Sequence, residues 1–182
     1  IILLIGFVIA DKNIDVLLRA DEISYYNSET EVNPNFKENS SFSMNYNNQT
    51  NQACKCSGRD CKCCTGLEIR SLNIRRQACG RIIYTPNKRT LDVSLLYNNH
   101  KLAHKKYSVD GPTPLCAPLP LPAPFGGLVK LCLQLYDIRP SGPNLHLCVD
   151  IQTVVLDADT PVLVFHFNCY TMGLNGIHYT QN

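Results

Sequence analysis

Tryptophan is absent from the 182 residues, methionine occurs only as Met44 and Met172, and charged residues make up just 18%. No run approaches the roughly 20 consecutive apolar residues that a membrane-spanning helix needs. No segment sustains a 3.6-residue apolar period between caps, which argues against a helical bundle. The chain also lacks a G-x-S-x-G elbow, a glycine-rich phosphate loop and an H-E-x-x-H pair. Hydrolase, nucleotide-binding and zinc-protease chemistries therefore have no sequence motif to carry them here. A formal charge of +2 is too small to point to nucleic acid.

What the chain does have is cysteine, ten in all, at 54, 56, 61, 63, 64, 79, 116, 132, 148 and 169. That density suits an oxidising compartment. The uncharged opening, IILLIGFVIA, reads as the apolar region of a truncated signal peptide over residues 1–10. Val8 and Ala10 are small enough for its cleavage site. A buried N-terminal strand is the plainer alternative. The mature protein is expected to be secreted and extracellular, with no transmembrane segment.

Residues 11–53 differ in character. Nine of these 43 are Asn, none is Cys, and 3 basic residues face 7 acidic ones. Too little apolar surface is available to offset chain entropy, so a disordered polar leader is expected. Asn39 and Asn48 open N-glycosylation sequons there, although such short motifs also arise by chance.

From Cys54 to residue 182 the pattern is that of strands. Leu67 to Ile74 is β-rich, and Ile82 to Tyr84 ends at the turn Thr85-Pro86-Asn87. Leu91, Val93 and Leu95 alternate with polar residues, and Asn98-Asn99 signals a hairpin into Leu102 to Val109. Six prolines between Pro112 and Pro124 exclude a central strand or a helix and predict an extended crossing pinned by Cys116. Leu128 to Ile138, Leu145 to Leu156 and Val162 to Cys169 complete the set. Some seven short strands at turn spacing predict an all-β fold, an antiparallel β-sandwich stapled by disulfides.

The cysteines divide into a cluster, CKCSGRDCKCC, and five dispersed positions. Cys63 and Cys64 are too close along the chain to bond each other, and Cys54 and Cys56 are poor mutual partners. The simplest pattern sends the clustered five to the dispersed five, making an N-terminal clasp across the sandwich. Local loops, Cys54 to Cys61 or Cys56 to Cys63, compete with it. Thiolate metal binding is a further alternative, but an oxidising compartment and a hydrophobic core favour disulfides.

Taken together, CKCSGRDCKCC, the Cys79 strand, Pro112-Thr113-Pro114-Leu115-Cys116, Leu131-Cys132-Leu133, Leu147-Cys148-Val149 and Phe167-Asn168-Cys169 resemble a known pattern. It is that of secreted, cysteine-rich arthropod proteins grouped as a domain of unknown function (number 4773). The resemblance covers residue 54 to about 176. It implies secretion and a cysteine-stapled domain, and it supplies no activity.

Candidate chemistry is sparse. His100 and His104 sit at helical zinc spacing, but in a hairpin. His146 and Asp150 share a strand face about 13 Å apart along the chain, too far for direct contact. Asp157 and Asp159 offer too few carboxylates for calcium. No catalytic residue, metal ligand or cofactor is assigned, and an enzyme would need groups gathered from distant strands. Charge is more informative, with 12 basic against 3 acidic residues over 54–106. Arg70, Arg75, Arg76, Arg81, Lys105 and Lys106, joined by Lys88, Arg89 and Lys101, could form a surface for a sulfated glycan or another polyanion. A second expectation is a lipid-like ligand held between the sheets, suggested by the apolar run Leu128 to Ile138. The plainer readings are a solvated charged face and a filled core. A non-enzymatic binding or structural module accommodates either.

Overall fold

A computed structural model describes residues 23–26, 54–123, 126–155 and 161–179. The signal segment, both sequons, Asp157 and Asp159 lie outside these residues. Alternating burial sorts the strands into two antiparallel sheets, the sandwich expected from the sequence. The first sheet contains β1 (Ile23–Tyr26), β2 (Lys55–Ser57), β3 (Asp60–Ile69), β4 (Ile74–Thr85), β5 (Thr90–Tyr97) and β6 (His100–Ser108). Its order is β1-β3-β4-β5-β6, with β2 also paired to β3. The second contains β7 (Leu115–Pro118), β8 (Val129–Ser141), β9 (Asn144–Val155), β10 (Leu163–His166), β11 (Tyr170–Gly173) and β12 (Gly176–Tyr179). Its order is β12-β11-β9-β8-β7, with β10 on β9.

Local chemistry sets the turns. Asn98 and Asn99 both adopt positive φ, 50° and 64°, the backbone a two-residue hairpin requires. Single 3-10 turns at Arg70–Leu72 and Pro86–Lys88 connect β3 to β4 and β4 to β5. Each ends on a left-handed residue, Asn73 or Arg89, whose amide donates back to the turn. The expected strand over Leu67 to Ile74 is thus broken by a turn. In the proline-rich crossing, Leu115, Ala117, Leu119 and Leu121 are buried. Prolines 118 and 120 alternate with them and are exposed, so β7 tolerates Pro118 as an edge strand.

Leu67, Ile69, Ile82, Leu91 and Leu95 of the first sheet fill the interior together with Leu131, Leu133, Leu147, Ile151 and Tyr170 of the second. The sheets are close at Gly80, where a Cβ would lie 2.5 Å from Leu133 Cδ1.

Two further expectations are corrected. The leader reading of residues 11–53 fails at Ile23–Tyr26, which pair antiparallel with Gly66 to Ile69. Tyr25 is buried there, and that burial supplies the apolar contact the surrounding sequence lacks. The clustered cysteines do not cross to the dispersed ones, apart from Cys64–Cys79. The other bridges are Cys54–Cys63, Cys56–Cys61, Cys116–Cys132 and Cys148–Cys169. Cys56–Cys61, Cys64–Cys79 and Cys116–Cys132 are register partners on neighbouring strands. Cys54–Cys63 and Cys148–Cys169 lie one step beyond the pairs Lys55–Lys62 and Leu147–Tyr170. Antiparallel ladders bring such residues to within disulfide reach, here with Cα separations of 4.0 to 4.2 Å. The cluster still meets the second sheet, but by packing. Cys61 Sγ touches Met172 Sδ at 3.9 Å, and the Tyr170 hydroxyl points at Cys63 Sγ at 3.6 Å.

Candidate functional site

Register decides which charges meet. On the outer face of the first sheet, Lys55 pairs with Lys62, Lys62 with Arg81, Arg81 with Ser94 and Ser94 with His104. One row thus runs across β2, β3, β4, β5 and β6. Its three cations occupy consecutive strands, spaced about 4.8 Å apart. Arg81 donates from Nε to Asp60 at 2.9 Å and from a terminal nitrogen to the other carboxylate oxygen. This hydrogen bonding holds Asp60 below the usual carboxylate range and raises Arg81 further. Asp92, in the adjoining row, receives His104 at 2.6 Å and lies 3.8 Å from Lys106. Lys62 reaches Asn99 Oδ1 at 3.3 Å. Lys101 and Lys106 flank the row on β6, both exposed.

The six residues expected to bind a polyanion are only partly gathered. Arg75, Arg81 and Lys106 share this outer face by register. Arg75 is six residues along β4 from Arg81, about 20 Å away. Arg70 lies in the 3-10 turn. Arg76 and Lys105 project to the opposite side, as partners of Leu67 and Val93. The Lys105 ammonium sits 5.0 Å over the Tyr107 ring. Arg89 pairs with Asp110 at the sheet end. Lys55 and Lys62, by contrast, join the row without having been placed in it from sequence. Only the cysteine register could have revealed them.

The outer face of the second sheet is polar in a different way. Asp150, His166 and Tyr136 converge, with His166 Nδ1 at 2.9 Å and the Tyr136 hydroxyl at 3.2 Å from Asp150 Oδ1. Burial raises the Asp150 carboxyl, against the opposing pull of His166 and Tyr136. Burial and the Asp150 charge push the Tyr136 phenol up to about 12. Four residues back along β9, His146 lies between Thr171 Oγ1 at 3.2 Å and Asp137 Oδ2 at 3.3 Å. A bulge after Tyr136, with Asp137 at φ 49°, interrupts the regular register here. Asp137 is held foremost by Arg139, at 2.6 Å. The Cys148 sulfur lies within 4.8 Å of ligand atoms of Asp137 and His146, but it is bonded to Cys169 and offers no thiolate. His146 and Asp150 keep separate partners, as their spacing on one strand predicts.

A domain of two disulfide-stapled antiparallel sheets, with a basic row on one outer face, is the class these features define. The chain belongs to the family described as a domain of unknown function, DUF4773, whose model matches residues 53–176. No curated protein matches the chain. No solved structure matches it.

Proposed function

We propose that the protein is a secreted, non-enzymatic binding module that presents the row Lys55–Lys62–Arg81 to an extracellular polyanion such as a sulfated glycan. The carrying observation is the placement of three cations on three consecutive strands of a disulfide-braced sheet. Such a face is rigid, so little ordering entropy is spent when a linear array of anions lies along it. Five bridges suit an oxidising extracellular setting, and among the described residues no helix is long and apolar enough to cross a membrane. A ligand between the sheets has less support, because Gly80 and Leu133 already meet tightly there. Chromatography on immobilised heparin tests the reading. Elution well above about 0.15 M salt is expected, since cations that meet the polyanion at contact lie well inside the Debye length of about 8 Å at that strength. Elution below that strength overturns it.

A further inference from the structure

β1 stands apart from the rest of the fold in three ways. It lies outside the matched family domain, which begins at residue 53. Residues 27–52 separate it from that domain, enough chain to reach about 90 Å, so covalent connection alone does not fix its position. It also carries no cysteine, whereas β2, on the same edge of β3, is stapled to β3 through Cys56–Cys61 and flanked by Cys54–Cys63. Among the described side chains and pairings, a four-pair ladder to Gly66 to Ile69 and the Tyr25 side chain hold β1.

Tyr25 enters a slot prepared by the second sheet. Its ring meets Phe165 edge-on at 5.5 Å. Its hydroxyl lies 2.8 Å from Thr153 Oγ1 and 3.4 Å from the Ile151 carbonyl. Thr153 is fully buried. The family domain thus holds a buried hydroxyl and a carbonyl aimed at a phenol that a segment outside it supplies.

We propose that this edge of β3, with Phe165, Ile151 and Thr153 behind it, is a binding site for an extended peptide bearing a tyrosine, and that Ile23–Tyr26 is its tethered ligand. Backbone pairing supplies affinity and the tyrosine slot supplies selectivity, the division of labour seen when a peptide adds a strand to a sheet edge. Phenylalanine fills the slot but leaves the Thr153 hydroxyl unmatched, so the site discriminates by one oxygen atom. Tethering keeps the cis strand at an effective concentration in the millimolar range, which excludes free peptide.

The test uses the full oxidised chain and a fluorescent peptide spanning residues 20–29, followed by anisotropy. The wild-type chain is expected to bind it at least about tenfold more weakly than a Tyr25→Ala chain, whose site is vacated. The Tyr25→Ala chain should prefer the native peptide over its Tyr25→Phe version by about tenfold or more. Failure of that chain to bind, with its five bridges and strand signal intact, overturns the proposal, as does equal affinity for the two peptides. Should the variant not fold, the same peptide is offered to a chain cut after folding at a protease site inserted between Glu38 and Asn39. Exchange of the cut strand for labelled peptide supports the proposal. Permanent retention of the cut strand without exchange contradicts it.

Discussion

The Tyr25 hydroxyl and Thr153 Oγ1 stand 2.8 Å apart and join the edge of one sheet to the centre of the other. Burial raises the Tyr25 phenol above its ordinary range, so it remains a neutral partner for Thr153. Replacing Tyr25 with Phe strands a buried hydroxyl and should cost about 1–3 kcal/mol in denaturant unfolding. Adding Thr153→Val removes the orphan and should recover part of that loss. A double variant as unstable as the sum of the two singles would show that the pair is not coupled.

Gly80 is a packing requirement. A Cβ there would overlap Leu133, which is itself buried, so Gly80→Ala should destabilise by about 1–3 kcal/mol. Leu133→Ala in the same chain opens space and should make the Gly80 substitution nearly neutral. Thermal melts of the four chains check this, and a Gly80→Ala chain as stable as the wild type would contradict it.

The bridges differ in the length of chain they close. Cys148–Cys169 spans 21 residues and Cys56–Cys61 only 5. Loop-closure entropy then assigns about 3 kcal/mol to the first and about 2 kcal/mol to the second. Paired Cys→Ser variants, unfolded in guanidinium, should follow that order. Peptide mapping without reduction should also recover Cys54 with Cys63 and Cys56 with Cys61, and not the crossed pairs.

Two aspartates should respond oppositely to pH. Arg81 depresses Asp60, so the stability tied to that carboxylate is present above its ordinary pKa and is lost as pH falls through the depressed value. Burial raises Asp150, so its contribution is complete below the ordinary carboxylate pKa and is lost as pH rises through the raised value. Between pH 3 and 7, the melting-temperature difference should move in favour of wild type over Asp60→Asn, and in favour of Asp150→Asn over wild type. Parallel slopes for the two variants would contradict these assignments.

Several elements were legible in the sequence because their causes are local. The alternation of Leu91, Val93 and Leu95, the Asn98-Asn99 turn and the proline-rich edge all depend on neighbours within a few residues. β1 was not legible, since Ile-Ser-Tyr-Tyr in an Asn-rich stretch becomes a strand through contacts with Thr153 and Phe165, more than 120 residues away. The disulfides were legible in principle. Cys54 with Cys63 and Cys56 with Cys61 are symmetric about the turn at Gly58 and Arg59, so a hairpin through the cluster would have nested them. A clasp across the sandwich breaks that symmetry, and with it the register that sets Lys62 beside Arg81. Composition alone groups Arg76 and Lys105 with Arg75 and Lys106, although adjacent residues on a strand face opposite sides.

Charge reversal on one face at a time tests the binding surface most directly. Lys55→Glu/Lys62→Glu and Arg76→Glu/Lys105→Glu change net charge equally but alter opposite sides of the sheet. Titration of a labelled heparin oligosaccharide at about 0.15 M salt should show the first pair weakening binding about tenfold or more, and the second by less than about twofold. Equal weakening by both pairs, or none by the first, would contradict a polyanion site on the Lys55–Lys62–Arg81 row.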